Sequence, residues 1–255
     1  MSVMRTTVGR VLALFVVLLL ANASRAAGAA KNGQGDGQGG NGQGNGQEKK
    51  VEAWFDDTSN HGYAAAKTGI ERAAQAASRA GVPEKMLVER LEEGAAKNTE
   101  VATLERALQE EAARLIGLAG IFDQAMPDLE DNDRAEAIRE GAIALRAGMD
   151  IATIEQVIRW SVGAGLELRH TLAALAALGP HHRALALGVY EDLALVGAMV
   201  RSRERPSSYA AFASLLASAS ERGMDTRVLV ETSVAMLARR GTFLAVRQEL
   251  DRKLE

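Results

Sequence analysis

Residues 70–108, IERAAQAASRAGVPEKMLVERLEEGAAKNTEVATLERAL, read as a helix rich in small side chains, a corner at Gly81, a short second helix, another break and a third helix. The corner is the informative part. A glycine at the end of a helix supplies the left-handed conformation that closes the last carbonyls, and an apolar residue just after it packs back onto the preceding turn. Val82 is that apolar residue, and Pro83 suits the first position of the helix that follows.

The same signature returns as Gly148-Met149-Asp150 and Gly223-Met224-Asp225, where aspartate replaces proline as a helix-starting residue that accepts bonds from free N–H groups. Setting the three glycines in line also aligns Leu87 with Ile154 and Leu229, Val101 with Leu168 and Phe243, and Leu108 with Leu175 and Leu250. Leucine matches come easily in a chain rich in Ala and Leu, so the corner itself carries the argument. A second break is expected in each copy, at Gly94, at Gly163 with Gly165, and at Gly241. Thr99 and Thr242 are candidate caps for the third helices, with Glu167 a poorer one at the same register.

The expected fold is therefore all-α: three related three-helix modules, about residues 64–116, 131–178 and 207–254, packed as a helical bundle or short array. The intervals of 67 and 75 residues between successive glycines do not match the ~34-residue tetratricopeptide period or the ~40 to 47 of HEAT-type repeats. Composition agrees with helices. Only 4% of the 255 residues are aromatic while 47% are hydrophobic, and it is β-branched and aromatic side chains that fit a pleated sheet.

Between the second and third modules lies an insertion, residues 181–203, expected to be a buried helix sandwiched between them. Its apolar run carries Glu191 and Asp192, which are expected to emerge at the surface or to pair with an arginine. Between the first and second, residues 117–133 hold Pro127 and an acidic cluster. Asp131 and Asp133 resemble the opening of a calcium loop, but its glycine and distant glutamate are missing, and acidic residues favour the positive end of a helix.

The N-terminal region is read separately. Arg5 and Arg10 precede an unbroken apolar run, Val11 to Ala21, followed by the small-x-small pattern Ala21-Asn22-Ala23. This is the pattern of a secretory signal peptide cleaved after Ala23 or, alternatively, after Ala26, and the run is too short to be a stable membrane span. Residues 27–50, AGAAKNGQGDGQGGNGQGNGQEKK, contain almost no apolar side chains and are expected to form a disordered linker to an all-helical domain over residues 51–255. At the start of that domain Trp54, Phe55 and Tyr63 cluster beside Asp56, Asp57 and His61; helix capping and aromatic packing account for these better than metal ligation.

Chemistry is sparse. There is no cysteine, hence no disulfide, thiolate metal site or cysteine nucleophile. The net charge of −3 offers no basic face for nucleic acid. No HExxH, GxSxG, complete GxGxxG or phosphate-binding lysine loop is present, so neither a metal nor a cofactor is expected. The reading that follows is an exported, non-enzymatic binding or scaffolding protein of the periplasm or cell surface, with a protein partner in the cell envelope. Its candidate interaction surface is the Val101, Leu168 and Phe243 register together with Arg201, Arg203 and Arg205. The alternative is an enzyme or small-molecule-binding protein with a polar pocket near the inserted helix, for which His170, His181, Glu191 and Asp192 are the residues to inspect.

Overall fold

The structure, a computed structural model, describes residues 50–255; the proposed signal peptide and almost all of the linker lie outside the described residues. Among the described residues there are eleven α-helices and no strand. They are α1 (Val51–Asp56), α2 (Lys67–Arg79), α3 (Lys85–Ala96), α4 (Val101–Ala125), α5 (Asp131–Arg146), α6 (Ile151–Gly163), α7 (Leu168–Leu178), α8 (Val189–Arg201), α9 (Tyr209–Glu221), α10 (Thr226–Arg240) and α11 (Phe243–Leu254).

Helical periodicity places the core. In α4, Leu104, Leu108, Ala112, Leu115, Leu118, Ala119 and Phe122 are buried at steps of three and four, which puts them on one stripe. In α2 the stripe is Ile70, Ala74 and Ala77, small enough to let α4 approach closely. Packing runs along the chain: α4 lies against α2, α3, α5 and α6, whereas α7 lies against α5, α6, α8 and α9. The chain then closes on α10 and α11, which pack on each other and, respectively, on α8 and α9. The buried residues form one continuous cluster from Val51 to Leu250, so residues 47–255 carry their own core and form one unit able to fold by itself.

The three glycine corners share one geometry. Gly81, Gly148 and Gly223 have φ of +73°, +102° and +95°. In each, the residue after the glycine donates its N–H to a carbonyl five positions back: Val82 to Ala77, Met149 to Ala144 and Met224 to Ala219. That is the closure the last turn of a helix needs, and the donor residue buries its side chain beneath it in all three cases. Asp150 caps α6 by accepting from the Thr153 N–H, and Asp225 caps α10 by accepting from Arg227 and Val228. Pro83 does not begin α3; it stands two residues ahead of it in the turn, with its carbonyl accepting from Met86. Asp225→Ala should remove two of these bonds and destabilise the protein by about 1 kcal/mol, measured by chemical denaturation.

The second breaks differ from expectation in one copy. Gly94 is inside α3, where an added Cβ would run into Leu104 of α4; its small size serves close helix contact. The break falls instead at Asn98, with φ of +51°, and Thr99 donates its N–H back to Gly94. Asparagine is the other residue that tolerates this conformation. Gly163 ends α6 and Gly165 (φ +65°) makes the corner before α7, while Gly241 (φ +70°) makes the one before α11. Thr242 caps α11 through the Ala245 N–H; neither Thr99 nor Glu167 caps with its side chain. The helix that begins at Val101, α4, also runs on past residue 116 to Ala125, because Gly117 and Gly120 sit within it without breaking it.

The insertion is half as helical as its composition suggests. A 3-10 helix, Gly179–His181, leads into turns over residues 182–186; Leu185 and Leu187 are buried as anchors, and the α-helix starts only at Val189, after Gly188. From there α8 does lie between α6 and α7 on one side and α10 on the other. At the other end of the chain Trp54 and Phe55 are buried in edge-on contact, Tyr63 tilts against Trp54, and Asp57 caps the short 3-10 helix Thr58–Ala66 by accepting from Ser59. Asp131 and Asp133 occupy the first turn of α5.

Candidate functional site

The most unusual polar group in the described residues is Asp192. It sits in the first turn of α8 with no exposed surface, and its Oδ2 lies 2.9 Å from Nε2 of His182 while Oδ1 has no hydrogen-bond partner. This corrects the expectation for the insertion: Asp192 is neither at the surface nor paired with an arginine, and its partner is a histidine on the preceding turn. Burial pushes the Asp192 carboxyl up to about 6, with His182 opposing the shift and Glu191 and Asp150 adding to it. A carboxylate taken out of water disfavours its charged form, and a carboxylic acid so perturbed is a recognised mark of functional sites.

The surroundings are held by local chemistry. Asp150, the cap of α6, is itself held below the usual carboxylate range, first by the Thr153 backbone N–H and then by the Thr153 hydroxyl. Thr226, at the start of α10, donates its hydroxyl to the Leu185 carbonyl and so ties the turns over residues 182–186 to the third set of helices. Arg183 stands over the Gly148 corner. A carboxylate orienting an imidazole is half of a nucleophile-activating relay. The other half is absent here. Ser214 is 3.5 Å from the neighbouring His181, and it donates to the Ala210 carbonyl 3.0 Å away. Burial lowers the His181 imidazole, with Glu221 opposing. The Asp, His and Ser functions are thus divided between two successive histidines that face different partners.

His170 is elsewhere, 3.6 Å from Glu167 and edge-on to Tyr209. Glu191 is half-buried, its carboxyl close to Gly188. No group of three or more histidines, aspartates and glutamates among the described residues is arranged to hold a metal ion, and no helix among them is long and apolar enough to cross a membrane.

Val101, Leu168 and Phe243 occupy equivalent places, each the first residue of its helix, α4, α7 and α11. All three are half-buried and packed against the core. Phe243 stacks on Phe212 at 4.1 Å and meets Tyr209 edge-on. Tyr209 in turn donates its hydroxyl to the Met199 carbonyl. Arg201, Arg203 and Arg205 are exposed; Arg201 lies over the Trp160 ring, and the Arg203 N–H bonds the Gly241 carbonyl. One surface cleft of about 490 Å³ is lined by Val51, Glu71, Gln75 and Glu84, and another of about 310 Å³ lies between Pro83, Met86 and Arg139. Neither reaches His182 or Asp192.

Sequence reasoning picked out Asp192 and His181 but not His182, the histidine that pairs with Asp192. Their spacing of ten residues carried a signal of a sort: a charged residue in the apolar part of an insertion must find a counter-group nearby, and a histidine one turn-rich segment upstream is within reach. No family model, no curated protein and no solved structure matches this chain.

Proposed function

We propose that the protein is an exported, non-enzymatic helical protein built from three related three-helix modules and acting as a binding or scaffolding component of the periplasm or cell surface. The observation that carries the modular reading is the one corner used three times, Gly81, Gly148 and Gly223, each with positive φ and the same carbonyl closure. The third helices beginning at Val101, Leu168 and Phe243 keep that register. Export rests on the apolar run Val11 to Ala21 and the Ala21-Asn22-Ala23 pattern. Stacked helical modules build extended surfaces suited to protein partners.

A second reading, a small-molecule site beside α8, draws support from the buried Asp192–His182 pair. The clefts of about 490 and 310 Å³ lie elsewhere. The two readings part in an affinity capture using residues 47–255 against the native cell envelope. A single protein recovered in stoichiometric amount, and lost on surface substitution along α4, α7 or α11, supports the first. A metabolite that co-purifies with the wild type and is lost in Asp192→Asn overturns it in favour of the second.

A further inference from the structure

The net charge of −3 predicts no basic face, yet the fold makes one. The C-terminal ends of α8 and α10 meet where the Arg203 N–H donates to the Gly241 carbonyl at 2.9 Å and the Phe243 N–H donates to Glu204 Oε1 at 3.0 Å. Those two bonds stitch the segment Arg201-Ser202-Arg203-Glu204-Arg205 onto Arg239-Arg240-Gly241-Thr242. Every one of the five arginines is exposed and none is in a salt bridge among the described residues, although Glu249 on α11 lies within electrostatic range of Arg240. Each is within two residues of Arg203 or Gly241, so all five backbones fall within ~7 Å of that joint along the chain. The only acid in the two segments, Glu204, is spent on the Phe243 N–H. Beside them, in the first turn of α11, Leu244 stands 63% exposed, one of the few large apolar side chains the described residues leave in water.

Helix ends attract cations, which accounts for Arg201, Arg239 and Arg240 but not for Arg203, Arg205 or Leu244. Arginines with long apolar stems and an exposed leucine at one corner suit a boundary between water and hydrocarbon: the guanidinium groups take phosphate oxygens while the leucine enters the headgroup layer. An acidic protein would be matched by the arginines and leave Leu244 unused. Stacking on nucleic-acid bases would call for an exposed aromatic at the corner, and Phe243 is instead turned inward onto Phe212. We propose that the Arg201–Arg205 and Arg239–Thr242 corner, with Leu244, docks the protein peripherally on a bilayer surface rich in anionic lipid headgroups. This adds a lipid contact to the protein-binding reading and stands or falls apart from it.

The test is co-sedimentation of residues 47–255 with phosphatidylcholine vesicles containing about one-third phosphatidylglycerol, beside pure phosphatidylcholine vesicles and at low and high salt. Binding is expected to the anionic vesicles only and to weaken as salt rises. Arg205→Gln with Arg239→Gln should lower partitioning about 25-fold, at about fivefold per arginine. Leu244→Ala should weaken it further, and Arg72→Gln with Arg106→Gln, exposed arginines elsewhere, should leave it unchanged. All variants change exposed side chains, and their helical circular dichroism should match the wild type. Equal binding to both vesicle types, or a paired Arg205/Arg239 variant that partitions like the wild type, would overturn the proposal, as would binding to an acidic protein with none to vesicles.

Discussion

His182→Ala is expected to destabilise residues 47–255 by about 3 kcal/mol near pH 8, the upper end of the range for a buried acceptor left without its hydrogen-bond partner. The reason is what remains. Asp192 would keep a fully buried carboxylate whose Oδ1 already has no partner and whose Oδ2 would lose the only one it has. The effect should depend on pH in a defined direction. Burial raises the folded-state carboxyl to about 6 from an ordinary value of 3.8, so between these limits the native protein holds a proton that the unfolded chain does not. Stability from this group is therefore fully present below the unfolded value and is lost as pH rises through the folded one. Asp192→Asn removes the ionisation. Comparing it with the wild type by denaturation near pH 8 and near pH 4, the wild type should gain about 2–3 kcal/mol on the variant as pH falls. Parallel stability curves for the two proteins would show that Asp192 is not a desolvated acid.

The second large effect is at Gly81. Gly81→Ala should cost about 2–4 kcal/mol, and Gly223→Ala only about 1–2 kcal/mol, although both glycines adopt positive φ. Backbone strain is common to the two sites. At Gly223 a Cβ would meet open space, so strain is the whole cost. At Gly81 it would overlap the Arg134 guanidinium, which donates to the Ala80 carbonyl at 2.8 Å and grips Asp123 through two bonds of 2.7 and 2.9 Å. Displacing Arg134 would break a tie among the end of α2, α4 and the first turn of α5. Denaturation of the two variants under the same conditions checks the ordering; equal losses would mean that Arg134 moves aside freely and holds nothing.

The lesson of the glycines is that one residue type answers two different needs. Gly81, Gly148 and Gly223 are identifiable from their neighbours, because an apolar residue and then a helix starter complete a closure that involves only about six consecutive residues. Gly94 has no such signature, and its role is visible only when Leu104 of α4 is seen to fill the space a side chain would need. Asn98, the actual corner between α3 and α4, stood four residues on from the glycine that drew attention. The insertion shows the same limit: its Ala and Leu content favours helix, but buried Leu185 and Leu187 hold the turns over residues 182–186 against their neighbours.

What the order of residues determined by itself was local: all-helical structure, the Gly corners, the Asp150 and Asp225 caps, and the apolar stripes that build the core. Each of these is settled by hydrogen bonds and side chains a few positions apart, so the sequence states both partners at once. Tertiary structure alone decided that Asp192 is buried against His182 and that Arg201, Arg203 and Arg205 share one corner with Arg239, Arg240 and Leu244. Those outcomes depend on which helix end lies against which, and that is set by the summed packing of many small apolar contacts rather than by any motif.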